Sequence, residues 1–328
     1  MNSVTCSDGC VQLSSTISKK RLLSGSGGYY NPAGGHVEYD PLTTHVYIKG
    51  ALPISVGTMQ KVVVLRNDKV TYVPASKLVP GDMVGFPIHK GANLPEWDKD
   101  DIVKKNLDNP TLWWIAGRYV ADGWTLKDRR TCIAVAPTKT EDIERMTSLG
   151  GTHVADMHSC KVVAYRYKDF HEFFKRMFGT GARSKYISED VLCLPKELLR
   201  AFVEGYLRGD GYYHPVHKDY DVKTVSKSLA LDLVRAIAKA YDRPAYVYET
   251  ANSPKCTIKG KTCKRSLYTY RVTFSPEKRQ REIPFIKDGI MWYRVERVVT
   301  PTEFLKGPRV EFLSFGATFV CNNVIMMG

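Results

Sequence analysis

The chain has 328 residues, 43 % of them apolar, and carries 48 Lys and Arg against 34 Asp and Glu, a formal net charge of +14. This length suits roughly two domains, and the composition excludes a disordered chain; no stretch approaches the roughly 18 unbroken apolar residues of a spanning helix. The excess of positive charge points to a polyanionic partner, nucleic acid ahead of an anionic membrane surface.

Met1 to Leu13 lacks the basic start and apolar centre of a secretory signal. Eight cysteines are too sparse for a disulfide scaffold, so a cytoplasmic setting is expected, nucleoid-associated or nuclear in a eukaryote. The first 90 residues read as β-rich, with strands predicted near His45–Lys49, Lys61–Leu65 and Val70–Val73 and a glycine-rich loop at Ser24–Gly35. The texture changes near Asn93–Asp101. Helices are then predicted at Pro110–Asp122, Thr140–Leu149, Asp169–Phe178, Pro195–Arg208 and Ser228–Tyr241. Between them lie predicted strands at Thr131–Ala136, Cys160–Tyr167, Tyr220–Val225, Ala245–Glu249 and Leu267–Phe274. After Pro284 the pattern returns to β, at Trp292–Val299, Val310–Phe315 and Thr318–Ile325. The simplest organisation is a β domain built from residues 1–94 and 288–328, interrupted by an inserted unit of helices and strands at 95–287.

Two segments of the insertion share one register. Ile115-Ala-Gly-Arg-Tyr-Val-Ala-Asp122-Gly123 and Val203-Glu-Gly-Tyr-Leu-Arg-Gly-Asp210-Gly211 each close a predicted helix. Gly117 and Ala121 fall on one helix face, as do Gly205 and Gly209, and small residues four apart let two helix backbones approach closely. Gly123 and Gly211 stand where a left-handed cap is expected. If the helices pair, Asp122 and Asp210 meet at their shared C-terminal end. Two carboxylates repel there, and the negative end of each helix disfavours them further. A hard divalent cation with a phosphate partner resolves both conflicts and describes metal-assisted phosphodiester hydrolysis. The bland reading, two ordinary turn aspartates, is weakened by the identical register.

These segments resemble the paired LAGLIDADG motifs of single-chain homing endonucleases, over about Glu96 to Lys287. The resemblance implies an α+β fold, a pseudo-two-fold αββαββα core whose strands form a saddle over DNA. It implies cleavage of double-stranded DNA at a long asymmetric target with Mg²⁺ or Mn²⁺, leaving short 3′ overhangs, by a monomer belonging to a mobile genetic element. Carried onto this sequence, Asp122 and Asp210 become the metal-binding and catalytic carboxylates, with Ala121 and Gly209 beside them as the accompanying metal positions. A basic residue near each scissile phosphate falls on Lys185, in Lys185-Tyr186-Ile187, and on Lys278, three residues before Arg281-Glu282-Ile283-Pro284. A surface lysine contacting a non-scissile phosphate is the competing reading for both.

The DNA-facing candidates follow each motif: Trp124, Lys127, Arg129 and Arg130, then Tyr212, His214, Lys218, Lys223 and Lys227. A basic stretch adds Lys259, Lys261, Lys264, Arg265, Arg271 and Arg281, with Tyr268 and Tyr270 at strand spacing among them. It reads either as a ribbon tracking phosphates or as a solvated hairpin.

The flanking β segments resemble the Hint splicing domain of inteins, through Val73–Asp82 and Phe319–Gly328, which makes that part all-β. Splicing chemistry needs a starting nucleophile, for which Cys6 or Cys10 would serve, and a histidine three residues after Thr58. Lys61 stands at that position, Met327-Gly328 replaces the terminal His-Asn, and Ala317 replaces another histidine. Lysine is no neutral imidazole near pH 7, and glycine has no side-chain amide to cyclise. The expected function is therefore a metal-dependent DNA endonuclease on a splicing-inactive Hint scaffold. The rivals are an active self-splicing intein with an endonuclease, and a non-catalytic DNA- or RNA-binding protein of maturase type.

Overall fold

In the strand Thr43–Ile48 half-buried and buried residues alternate, the signature of one face on a core and one toward solvent. It pairs antiparallel with Ile54–Gly57 on one side and with the long strand Ile290–Val299 on the other. That strand pairs in turn with Met83–Pro87, and Met83–Pro87 with Lys61–Arg66. Lys61–Arg66 folds back on Lys69–Pro74 through Asn67 and Asp68, both at positive φ, as a two-residue hairpin turn requires. Strands from before residue 90 and after residue 290 thus share one antiparallel sheet. The computed structural model describes residues 43–300 with their side chains, apart from 129, 153–154, 157–158, 254–265 and 278–282; outside these limits it describes only the backbones of short strands. Two expectations there are corrected. Ser24–Gly35 is not wholly loop, because Leu23–Gly25 and Gly28–Tyr30 pair. Thr318–Ile325 is not one strand but two, Thr318–Cys321 and Val324–Met327, which pair antiparallel.

Between these strands the described residues form six α-helices: α1 Pro110–Asp122, α2 Thr140–Thr147, α3 Lys168–Phe178, α4 Glu189–Leu192, α5 Lys196–Asp210 and α6 Lys227–Tyr241. Asn109 caps α1 by accepting from the Thr111 amide at 2.9 Å, with Pro110 in the first turn, where its missing N–H costs nothing. Ser226 caps α6 through the Leu229 amide. Each half of this region carries a four-stranded antiparallel sheet. The first runs Gly123–Thr125, Thr131–Val135, Cys160–Tyr165, Thr152–Met157; the second runs Tyr212–His214, Asp219–Thr224, Tyr268–Phe274, Tyr246–Ala251. The order is the same in both, first, second, fourth, third, so the repeated motif belongs to a repeated topology. The second half adds a hairpin, Lys255–Ile258 with Lys261–Lys264. The three-residue strands after each motif, and Thr152–Met157, have no clear two-residue alternation in the sequence.

Under the first sheet α3 packs Phe170, Phe173, Phe174 and Phe178 against Trp113, Tyr119 and Tyr165. Phe178 stacks on Phe202 of α5, 5.4 Å between centroids, which joins the two halves through rings that each bury roughly 2–3 kcal/mol of apolar surface. The segment leading out of the sheet is held by a hydrogen bond to a buried ionic group. His89 contacts Glu189 of α4, which also receives both terminal nitrogens of the buried Arg235 of α6. Burial, with Arg235 and Lys239 nearby, pushes His89 down to about 3, so the ring there is neutral.

The closest approach is between α1 and α5. A methyl group on Gly117 would stand 2.0 Å from the Phe202 carbonyl oxygen, and one on Gly205 would stand 2.0 Å from that of Trp114. The helices therefore touch backbone to backbone. Gly117→Ala or Gly205→Ala should each lower unfolding stability by ~1–3 kcal/mol or more, because the obstructing atoms are backbone and cannot rotate away. Denaturant melts check this, and a loss below ~1 kcal/mol would contradict the contact.

Candidate active site

The helix pair carries its register through to the last turn. A methyl on Gly209 would meet Arg118 Nη1 at 2.3 Å, Ala121 Cβ at 2.4 Å and Asp122 Oδ2 at 2.7 Å. Both chains run toward the same end, so Asp122 and Asp210 close their helices side by side. Ala121 and Gly209 sit in the contact itself, as the small-residue spacing predicts. The expected left-handed caps are corrected: Gly123 and Gly211 are extended, with φ of −93° and −78°. Glycine is required there by crowding instead. A methyl on Gly123 would lie 2.3 Å from the Tyr119 ring and 2.6 Å from its carbonyl oxygen, and one on Gly211 would lie 2.4 Å from the Leu207 oxygen.

The two carboxylates are unlike. Asp122 faces the Arg118 guanidinium of its own helix, 2.9 Å from Nη1 to Oδ2. Asp210 is exposed, which gives a cation access, yet its carboxyl is crowded by charged neighbours. Desolvation, then repulsion from Asp122, pushes its carboxyl up to about 6, against the pull of Lys185 and Arg118. A cavity of about 250 Å³ opens beside it, lined by Ala121, Ala182, Lys185, Lys223 and Thr224 among others.

Lys185 is buried and donates to three carbonyl oxygens of the end of α1: Tyr119 at 2.9 Å, Val120 at 2.8 Å and Gly123 at 2.9 Å. All three ammonium hydrogens are spent on carbonyl oxygens of the helix end, where backbone acceptors run short of donors, although the Tyr119 oxygen also accepts from the Gly123 amide. Burial pushes this amine down to about 8, while Asp210 and Asp122 hold it up. The lysine thus lines the cavity beside Asp210 but is anchored as a helix cap. Lys139 does the same for α5, donating to the Arg208 oxygen at 2.5 Å, a role with no signal in the sequence. Arg208 in turn bonds Asp142 of α2 through Nε at 3.0 Å.

The two sheets carry part of the predicted DNA surface. Trp124 is half-buried against Cys132, Val162 and Ala164; Lys127 is exposed; Arg130 pairs with Asp128 at 2.6 Å. On the second sheet Tyr212 and Lys223 are exposed, His214 and Arg271 both bond Asp221, and Lys218 pairs with Glu277 at 2.9 Å. Burial works against the Asp221 charge, but bonds from Arg271, Thr273 and His214 hold its carboxyl low. Lys227 begins α6. Lys278, Arg129, Arg265, Arg281, Lys259, Cys6, Cys10, Ala317 and Gly328 lie outside the described residues, and Lys261, Lys264 and Met327 are described only as strand backbone. Thr58 accepts from the Ser76 amide through its carbonyl oxygen, and Lys61 is exposed on its strand. The sequence reading missed Arg118 and Tyr206, which occupy the same position in the two motif copies and lie fully buried beneath the aspartates. An arginine within the apolar run Leu112–Val120 is the signal that marks the first.

The donor set suits a hard cation: two carboxylates at adjoining helix ends, one of them exposed and pushed up by desolvation and by its acidic neighbour. Among the described residues no three His, Cys, Asp or Glu side chains converge, so main-chain oxygens, solvent or phosphate would complete any coordination.

No family model matches the chain. A DNA polymerase from Thermococcus kodakarensis is 32 % identical over 129 residues, 37 % of this chain, and the match spans 8 % of that protein's length. Among solved structures, a crystal structure of I-DmoI in complex with DNA and Ca overlaps 51 % of this chain and 83 % of its own, with a TM-score of 0.37 and 12 % identity. The N-terminal LAGLIDADG domain of DUF199/WhiA overlaps 56 % and 89 %, with a TM-score of 0.32 and 10 % identity. Full-length DUF199/WhiA from Thermatoga maritima overlaps 51 % and 50 %, with a TM-score of 0.33 and 8 % identity.

The raised Asp210 carboxyl has a consequence for stability. The folded chain holds this proton more tightly than an unfolded one, where a carboxyl titrates near 4. The contribution is full below about pH 4 and is lost as pH rises through about 6. Without divalent cation, Asp210→Asn should gain melting temperature relative to the parent chain between pH 4 and pH 7. A difference that stays constant over that range would contradict the crowding.

Proposed function

We propose that the chain is a DNA-binding protein that hydrolyses phosphodiester bonds of double-stranded DNA, with a divalent cation, Mg²⁺ or Mn²⁺, held by Asp122 and Asp210. The observation that carries this reading is the apposition of the two carboxylates at the ends of helices locked by Gly117 and Gly205. Such a cation would polarise a scissile phosphate and acidify a water. Lys185 and Lys139 hold the helix ends that present the aspartates. Exposed Lys127 and Lys223, with Tyr212, offer phosphate and stacking contacts on the sheets. The net charge of +14 supports a polyanionic target such as duplex DNA.

The finer reading, a homing endonuclease of LAGLIDADG type on a splicing-inactive Hint scaffold, rests on the doubled motif and on Lys61 where a histidine is needed. Expression within natural flanking sequence, followed by mass spectrometry, should yield no ligated product; a ligated product would return splicing to the account. One observation favours the non-catalytic alternative: Asp122 already has a cation, Arg118, against it.

Incubation with DNA from the gene's own neighbourhood and Mg²⁺ separates the two. Double-strand cuts that drop by at least ~10²-fold in Asp122→Asn and Asp210→Asn, with binding retained, are expected. Cutting that survives both substitutions, or none by the parent chain on any neighbouring sequence it binds, would overturn the nuclease.

A further inference from the structure

Between Leu112 and Val120 the α1 helix is apolar except for Arg118, which is 1 % exposed. An arginine so placed needs compensation, since a buried charge without partners is strongly unfavourable. Its Nη2 donates to the Ala134 carbonyl oxygen at 2.9 Å, tying the side chain to the first sheet. Its Nε and Nη1 have no aligned hydrogen-bond acceptor among the described residues. What Nη1 has is charge: Asp122 Oδ2 at 2.9 Å, one helical turn on. The guanidinium also presses on the bare backbone of Gly209, where any side chain would collide with it, so it lies between the two aspartate-bearing turns. Asp210 feels it as well, and Lys139 is repelled by it.

Tyr206 occupies the corresponding position on α5. It too is fully buried, its hydroxyl is likewise without a hydrogen-bond partner among the described residues, and both aspartates act on it. Two buried polar groups with unspent capacity thus stand under the carboxylates, one from each motif copy. A helix pair needing only to pack would place apolar side chains there, as it does at the buried Leu112, Ile115, Phe202 and Val203.

We propose that Arg118 is a resident counter-cation of the carboxylate pair, holding Asp122 before a divalent cation arrives and yielding that contact when one binds. This rests on the reading of Asp122 and Asp210 as the cation site and deepens it. The ion pair keeps two adjacent acids tolerable in the metal-free protein. It also makes the site unequal, because a cation must displace Arg118 from Asp122 but meets Asp210 directly. The fraction of time Asp122 spends released sets the apparent cation affinity. Arg118 is a positioning residue here, since its burial keeps it from touching DNA.

The test uses the full chain without DNA and follows Mn²⁺ binding by electron paramagnetic resonance of the free ion. Arg118→Gln should bind Mn²⁺ about tenfold tighter than the parent chain, the scale of removing one nearby positive charge. Arg118→Lys, which keeps the charge, should stay within about threefold of the parent. An Arg118→Gln affinity equal to or below the parent's would overturn the proposal, because an arginine that only ties α1 to the sheet has no reason to compete with a cation. Asp122→Asn and Asp210→Asn keep the two failures apart. If both bind Mn²⁺ like the parent, the carboxylate site itself is wrong; if both weaken while Arg118→Gln is unchanged, only the counter-cation is wrong. Should Arg118→Gln not fold, nitrogen-15 resonances of the parent decide. The Arg118 Nε–H signal, assigned by its absence in Arg118→Lys, should shift on addition of Mg²⁺, and a signal that stays in place would overturn the proposal.

Discussion

Everything at the centre of this molecule depends on two helices touching through glycine. With Gly117 against the Phe202 oxygen and Gly205 against the Trp114 oxygen, α1 and α5 approach too closely for any side chain to intervene. Their relative position is then set by main-chain atoms, which are stiffer than rotamers. That stiffness is transmitted along the helices to Asp122 and Asp210, and outward to the two sheets that follow them. A pair of acids placed by side-chain packing alone would relax apart; placed by backbone contact, it cannot. The repulsion between the aspartates is thereby a permanent feature of the fold, and the rest of the site reads as a response to it.

The response is made of cations drawn from several elements. Arg118 meets Asp122, Lys185 caps the end of α1, and Lys139 caps the end of α5. Each lysine neutralises the negative end of a helix whose last residue is an aspartate, where charge would otherwise accumulate. The periphery follows the opposite logic. On the second sheet Asp221 gathers His214, Arg271 and Thr273 into one network, which fixes the basic side chains on a surface of strands. Positive charge is therefore ordered at the centre to serve carboxylates and at the surface in positions open to a polyanion.

How much of this could be read from the sequence follows from which interactions are local. The α1 helix was legible to the residue, because Asn109-Pro110 marks its start and the motif its end. The glycine spacing announced the helix contact, and the repeated register announced the meeting of the aspartates. Gly123 and Gly211 were read for the wrong reason, since the letter glycine does not say whether a positive φ or a crowded neighbour demands it. Lys185 was found near the site, but its three carbonyl partners lie more than sixty residues away in sequence, so its role as a cap had no local trace. Lys139 shares that reason, its partner Arg208 lying 69 residues away, whereas Arg118 has a local trace, a lone arginine in an apolar run four residues before Asp122. The resemblance of the flanking β segments to a splicing domain is one of short motifs in the sequence.

The central claim is that the apposed aspartates form a cation site. Anomalous diffraction at the manganese edge from crystals grown with Mn²⁺ tests it most directly. The account predicts an anomalous peak between the carboxylates of Asp122 and Asp210, with Asp122 drawn away from Arg118. Crystals with manganese bound elsewhere on the molecule and no peak between these two residues would contradict it.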